Sequence, residues 1–367
     1  MTARGSLNAL TACLRAGPDL DAGPFPSIGD DSWPGMLAVA NCQLLTPALG
    51  RALASHRAAT PDDVMTYVEH IRSANRLRNR SIRRQAIELI RALNRADLEP
   101  LLLKGVIMTL HERRAGVGTR MMADIDIVVP ADARNTAIAA LHRLGYRARI
   151  FFPLGHHAVG EFTRASDPAA VDLHIELVDQ NYILPAAAVR GAADRVHTRW
   201  GTYLVPNPTH RVLHNILHAQ VHHRGGFYRA EIDLRQLYEL AYLGRMYKGR
   251  IDWAAIEACL RGHRLEVMLH SYLRKAGQLM GMPWPLTRAC FTRAHIHTWR
   301  SRMQFGSSLL AAVAQPWASL RLSLSWHRMA ALHGAEGGGP ASWRYRHVQH
   351  VLSQMPWTVV WQKLLRP

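Results

Sequence analysis

The chain has 367 residues, 48% of them apolar, with 45 Lys plus Arg against 27 Asp plus Glu for a formal charge of +18. Length and apolar share fit a globular protein of two domains, or one domain with a large helical annex. No uncharged apolar run approaches the length of a membrane span, and the N-terminal segment lacks an apolar stretch long enough for export, so a cytoplasmic protein is expected.

Cys13, Cys42, Cys259 and Cys290 show no pair spacing and read as free thiols in a reducing compartment. The positive charge favours a polyanionic partner: a nucleic acid, an anionic peptide, an acidic surface or a nucleoside triphosphate. Charge alone does not separate these. Four lysines stand against 41 arginines, so part of the excess is compositional bias.

In chain order, residues 1–32 are rich in Gly, Pro and Asp and read as a loosely packed lead-in. Helix is predicted from Ser32 to about Ala54, with Pro47 breaking or kinking it. Pro61-Asp62-Asp63 starts the next helical region, and 64–96 has the apolar spacing of one long or two shorter amphipathic helices. Eight arginines and one acid, Glu88, lie between Arg72 and Arg95. That stretch is read as a solvated face, with an electropositive flank for a polyanion as the alternative.

A short strand, Leu101–Leu103, then breaks at Lys104-Gly105, and a helix follows over roughly Val106–Arg114. Gly116 and Gly118 turn the chain into a second apolar strand. Pro130 and Asp132 begin a helix that ends at Gly145, with Ala137, Ile138, Leu141 and Leu144 as its buried stripe. Strands are predicted at 157–164 and 171–178, joined by a turn at 166–168. From Pro206 the pattern is helical, with another helix starting at Ile232 and helix again over 251–280 until Met282–Pro285 stops it.

The second apolar strand carries two acids. Side chains alternate along a strand, so Asp124 and Asp126 share one face while Ile125 and Ile127 take the other. Two like charges so close oppose one another's ionisation. A divalent cation, commonly Mg²⁺ shared with substrate phosphates, is the usual resolution; the plain alternative is a wet polar face on an edge strand. The segment VDLHIELV repeats the pattern, with Asp172, His174 and Glu176 on one face. Gly105, lacking a Cβ, allows backbone N–H groups to approach an anion at a helix start, and Lys104 adjoins it.

Lys104-Gly105, Arg120 and Asp124-Ile125-Asp126 together resemble the signature of the nucleotidyltransferase superfamily with the DNA polymerase β-like fold. More narrowly they resemble its poorly characterised bacterial branch, whose motif begins with a Lys-Gly pair; the broad superfamily more often has Gly-Ser there. The resemblance implies an α+β fold, a small mixed sheet with helices embedded in a largely helical chain. It implies a helical N-terminal region at 1–96, a catalytic core at 97–205, a helical domain closing the cleft at 206–290 and a Trp- and Arg-rich helical tail at 291–367.

The implied reaction moves a nucleoside monophosphate from an NTP to an acceptor and releases pyrophosphate. Asp124, Asp126 and, as third carboxylate, Asp172 would hold two Mg²⁺ ions. Lys104 and the N–H groups after Gly105 would contact the terminal phosphates, with Arg120 as a phosphate contact or a brace for the acidic strand. His174 would orient an acid or touch substrate, and Glu176 would sit at the margin. Asp233, on the helix after the histidine-rich one, resembles a residue facing the nucleotide. A small molecule or peptide is the expected acceptor, with RNA or tRNA as the rival. A catalytically degenerate nucleotide-binding protein and a phosphate-hydrolysing metalloenzyme are the other classes.

His210, His214, His218 and His222 recur every four residues and stack along one side of a helix. The usual third ligand and an HExxH glutamate are missing, which argues against a zinc site built on that helix. His214 and His218 are read as the members lining the cleft. Residues 291–367 hold six of the ten tryptophans and nine basic residues against one acid, Glu336. Such a tail can stack bases, lie on an anionic membrane surface, or pack on its own protein or a partner.

Overall fold

The structure, a computed structural model, describes residues 2–110, 118–153, 155–222, 225–323 and 325. The chain opens with α1 (Ala3–Ala16), α2 (Trp33–Cys42), α3 (Thr46–Ala54) and α4 (Asp62–Asn94). Next come β1 (Leu101–Leu102), α5 (Gly105–Leu110), β2 (Asp124–Val128), α6 (Arg134–Arg143), β3 (Arg147–Phe151), β4 (Ala158–Thr163) and β5 (Ala170–His174). After α7 (Ala186–Gly191), β6 (Asp194–Thr198) and β7 (Gly201–Val205) the chain becomes helical: α8 (Pro208–Gln220), α9 (Gly226–Arg229) and α10 (Leu234–Met246). It continues through α11 (Trp253–Gly262), α12 (Glu266–Met280), α13 (Thr292–Phe305) and α14 (Ser308–Ser323). None of the described helices is long and apolar enough to cross a membrane.

The first segment departs from expectation. Residues 3–16 are a helix capped by the Thr2 hydroxyl, which accepts from the Gly5 N–H at 3.2 Å. Leu7, Leu10, Cys13 and Leu14 are at most 1% exposed, so α1 is part of a hydrophobic core rather than a loose lead-in. Apolar residues three and four apart supply its buried stripe; the Gly- and Pro-rich stretch that follows obscures the pattern. Pro47 lies in the first turn of α3, where a missing N–H costs nothing, and the break comes before it at Leu44, whose φ is +56°. The segment starting at Asp62 is a single helix of 33 residues. It contains no Gly or Pro to interrupt it.

Seven strands form one mixed sheet in the order β3-β4-β5-β2-β1-β7-β6. β2 and β5 run parallel, and their register sets Asp126 opposite Asp172 and Val128 opposite His174. Ile125, Ile127, Val171 and Leu173 pack with Ile82, Ala86, Leu89 and Ile90 of α4 and Ala137 and Leu141 of α6 in one core. A second core takes Leu101, Leu103, Val128 and Leu204 together with α8, α10 and α12. The acidic face of β2 and β5 is thereby turned away from the core that α4 and α6 form.

The hairpin at 166–168 is present, but β5 ends at His174, so Glu176 is not on the strand. The N–H groups of Ile175 and Glu176 both donate to the His157 carbonyl, at 2.9 and 3.0 Å, which terminates the ladder. Glu176 instead accepts the Ala186 N–H at 2.7 Å, satisfying an open donor at the start of α7. Of the Arg72–Arg95 series, Arg76, Arg80, Arg84, Arg91 and Arg95 are exposed, as a solvated face requires. Gly116 and Arg114, and Trp326, Trp343, Trp357 and Trp361 of the tail, lie outside the described residues. Trp299 and Trp317 are 63% and 70% exposed, so these two tail tryptophans are not core.

Candidate active site

The site is built where α4 holds two acidic strands in register. Asn75 donates to the carbonyls of Gly118 and Arg120, each at 3.1 Å, and Asn79 to Arg120 at 2.8 Å. Gln85, two turns on, donates to the Ala169 carbonyl at 2.7 Å. These three buried amides tie the entry of β2 and the entry of β5 to one rigid helix, satisfying backbone groups that would otherwise be stranded. Arg78 adds bonds to the Met122 carbonyl and, at 2.6 Å, to the Pro168 carbonyl, and its charge lies near Asp124.

Asp126 is 2% exposed. Its Oδ1 accepts from Lys104 Nζ at 2.6 Å and lies 3.5 Å from His174 Nε2, which is itself 3.1 Å from Asp172 Oδ2. The ligand atoms of Asp126, Asp172 and His174 all fall within 4.8 Å of one another. Asp124 follows the same face one pleat earlier, at the more open end of β2.

Electrostatics sort these groups. The charge of Asp126, followed by burial, pushes the Asp124 carboxyl above its ordinary range, with Lys104 opposing. Burial alone would raise Asp126, but Lys104 and His174 outweigh it and hold that carboxylate ionised. Burial likewise works against the Lys104 ammonium, and Asp126 and Asp124 overcome it, leaving Lys104 raised. His174 is pushed up to about 9: its burial is outweighed by the hydrogen bonds to Asp126 and Asp172. The face demands positive charge, and a lysine and an imidazolium meet part of that demand.

Lys104 occupies the turn between β1 and α5 with φ +53°, a left-handed conformation that a long side chain adopts at some cost. That turn aims Nζ back at Asp126. Close packing also calls for glycine at 105: a Cβ there would stand 2.5 Å from Met122 Sδ and 2.7 Å from Arg120 Nε. The space is filled by protein side chains. Arg120 pairs with Glu239 of α10, both side chains 11% exposed.

His214 and His218 line a cavity together with Lys104, Ile107, Asn215 and Glu239. Burial, reinforced by Lys104, lowers His214 to about 3, so its ring is neutral, and the buried Nε2 has no hydrogen-bond partner among the described residues. Asp233 is not brought to this cavity. It caps α10, accepting the Gln236 N–H at 3.0 Å, and lines a separate hollow with Arg229, Glu231 and Arg235. Glu239, one and a half turns further along α10, is the acid that faces the core of the site. Glu239 and Arg78 were not picked out from sequence; the signal for Glu239 is a lone acid within the apolar stripe Leu237–Leu243.

A mixed sheet whose central parallel strands turn three acids to one side, with a lysine delivered from the preceding turn, has the layout of a nucleotidyl-transfer core. The chain belongs to a family described as uncharacterised nucleotidyltransferases, whose profile matches residues 29–281. No curated protein and no solved structure matches it. The family assigns nucleotidyl transfer as the general class of activity, and the matched stretch contains every residue of the site described above.

Proposed function

We propose that the protein is a Mg²⁺-dependent enzyme that moves a nucleoside monophosphate from an NTP to a small-molecule or peptide acceptor, releasing pyrophosphate. The observation that carries this reading is the register of β2 and β5, which sets Asp126 beside Asp172 on the face Asp124 shares. The residues fit a divalent cation: oxygens of Asp126 and Asp172 converge beside His174, carboxylates are hard donors, and the charge of Asp126 raises Asp124 on the same face. Asp124, Asp126 and Asp172 would hold the metal, two ions in the full arrangement, which supplies Lewis-acid polarisation of phosphoryl oxygens.

The protein's own groups do the rest. Lys104 Nζ, already in the site, neutralises negative charge that develops on the departing pyrophosphate. The Asp172 side chain is 27% exposed against 3% for Asp126, so the acceptor approaches from the Asp172 side. The new bond joins the acceptor oxygen to the α-phosphorus, the bond from that phosphorus to pyrophosphate breaks, and the acceptor proton leaves by way of the Asp172 carboxylate. Neutral His214, in the small cavity behind Lys104, offers a hydrogen bond to a water or a single substrate group that reaches Lys104. Arg120, held by Glu239, keeps α10 against the site.

The test incubates the protein with Mg²⁺, each α-labelled NTP in turn, and fractionated RNA, peptide or metabolite extracts. Label in a low-mass compound or peptide is expected. Label in RNA would transfer the reading to an RNA nucleotidyltransferase, and free NMP alone would indicate hydrolysis.

A further inference from the structure

A second cluster of ligating side chains lies beside the carboxylate face and takes no part in the chemistry above. His156 and His157 precede β4, Asp179 follows β5, and His222 follows α8. Asp179 Oδ1 is 2.6 Å from His157 Nδ1, and its Oδ2 is 3.1 Å from His222 Nδ1. Ligand atoms of His156, His157 and Asp179 all lie within 4.8 Å of one another. The rings of His157 and His222 meet edge to face with centroids 4.7 Å apart, and His156 sits 4.2 Å from His157.

We propose that His156, His157, His222 and Asp179 form a site for a borderline-soft divalent cation of the Zn²⁺ class, separate from the Mg²⁺ carboxylates. Three imidazoles and one carboxylate are the donor set that Zn²⁺ takes and that Mg²⁺, which prefers oxygen and water, does not. A carboxylate clamping two imidazoles needs only His157 and His222; the third ring, stacked on Phe152 with centroids 4.3 Å apart, brings a further nitrogen donor to the cluster. His156 Nδ1 lies 3.2 Å from the Ala158 carbonyl. The Ala158 N–H donates to the same nitrogen at 3.1 Å, so the backbone at the start of β4 holds the His156 ring in place beside Asp179.

The histidine-rich helix showed no third ligand in its own sequence. The fold supplies the others from the sheet: only His222, the last of the four-residue series, reaches the cluster, and its partners are 43 to 66 residues earlier. Such an ion would join three separate segments, tying the end of α8 to the edges of β4 and β5. Because His157 stacks on His174 with centroids 5.5 Å apart, the same ion would also stiffen the wall of the carboxylate site. Binding that draws on separate segments of the folded chain stabilises that fold, so loading should appear in thermal unfolding as well as in stoichiometry.

The experiment strips the purified full chain with chelator and titrates it with Zn²⁺ by calorimetry and with Co²⁺ by visible absorption. Thermal unfolding is followed with and without Zn²⁺. Wild type and Asp126→Asn are expected to bind one Zn²⁺ per chain, to give Co²⁺ ligand-field bands, and to melt at a higher temperature when loaded. Asp179→Asn and His222→Gln, each verified by far-UV circular dichroism, are expected to lose affinity by about a hundredfold or more and to show no Zn²⁺-dependent rise in Tm. His157→Gln replaces either variant that does not fold. Absence of Zn²⁺ binding in wild type overturns the proposal, as does binding unchanged in the folded variants. Loss of binding in Asp126→Asn would place the ion at the carboxylates and overturn it equally. Nucleotidyl transfer is not read in any arm, so the outcome is independent of the proposed function.

Discussion

Two buried charge centres in this molecule are handled in opposite ways. On the face of β2 and β5, Asp126 is met by Lys104 and His174, and every buried charge has an opposite charge within 3.5 Å. In the helical half, Lys275 of α12 is 1% exposed, and its Nζ rests 3.1 Å from the Glu231 carbonyl with no ion pair among the described residues. The first centre concentrates charge and compensates it, so its ionised forms persist. The second buries a cation against a dipole, and burial drives its pKa down to about 7. Compensated charge at a cleft is the mark of a site prepared for ionic ligands; an uncompensated one in a core is a cost to stability.

The sharpest break of the first centre is Asp126→Asn. The change is isosteric, removes one ligand oxygen's charge, and leaves the core packing of Ile125 and Ile127 intact. Transfer measured by labelled NMP in product is expected to fall by at least about a hundredfold, the upper end for weakened metal sites. Retention of more than about a tenth of wild-type turnover would place the chemistry elsewhere.

Much of this centre was legible because it depends on local alternation. Asp124 and Asp126 had to share a face, and Asp172 with His174 likewise, whatever the sheet order. Pairing between distant segments was not: the register that sets Asp126 opposite Asp172, and the short β1 lying between β2 and β7, leave no local trace. The amides of Asn75, Asn79 and Gln85 read as ordinary polar residues of a helix, because the carbonyls they satisfy are 41 to 84 residues away. Glu176 misled for the opposite reason. Its alternation continued past the point where the His157 carbonyl captures two N–H groups and ends the strand.

The two halves of the molecule meet through Arg120 and Glu239, and this pair tests whether the first centre depends on the helical half. Arg120→Ala leaves Glu239 buried without its partner and is expected to cost about 3 to 5 kcal/mol in urea unfolding. Replacing both residues with apolar ones of similar size should recover most of that loss, since neither charge is then stranded. A single variant within about 1 kcal/mol of wild type, combined with a raised KM for NTP, would instead make Arg120 a phosphate contact.

Lys275 sharpens the contrast through pH. Its folded pKa of about 7 lies below the ordinary 10.5, so between those values the unfolded chain binds more protons than the folded one. Stability should therefore rise as pH increases from 7 toward 10.5, with the full penalty present below 7. Lys275→Met removes the cation and keeps the volume, losing one bond to a carbonyl. It is expected to stabilise the protein at pH 7 by about 1 to 4 kcal/mol and to flatten this part of the pH profile. A profile unchanged in the variant would mean that another group titrates there.

The smallest effect, and the most informative about the first centre, is expected from Gly105→Ala. Alanine favours helix over glycine by about 1 kcal/mol, and Gly105 has no positive φ to forbid it. Against that gain, the new Cβ would meet Met122 Sδ at 2.5 Å and Arg120 Nε at 2.7 Å. Met122 is flexible and can move aside, but the Arg120 guanidinium is pinned by Glu239. Overpacking of this kind costs about 1 to 3 kcal/mol, so a net loss near 1 kcal/mol is expected, and Met122→Ala in the same chain should relieve part of it. If close packing is the only demand on Gly105, KM for NTP in the relieved double variant returns toward that of Met122→Ala alone. If a backbone N–H after Gly105 must also approach a phosphate, the added methyl keeps KM raised even when stability has been restored.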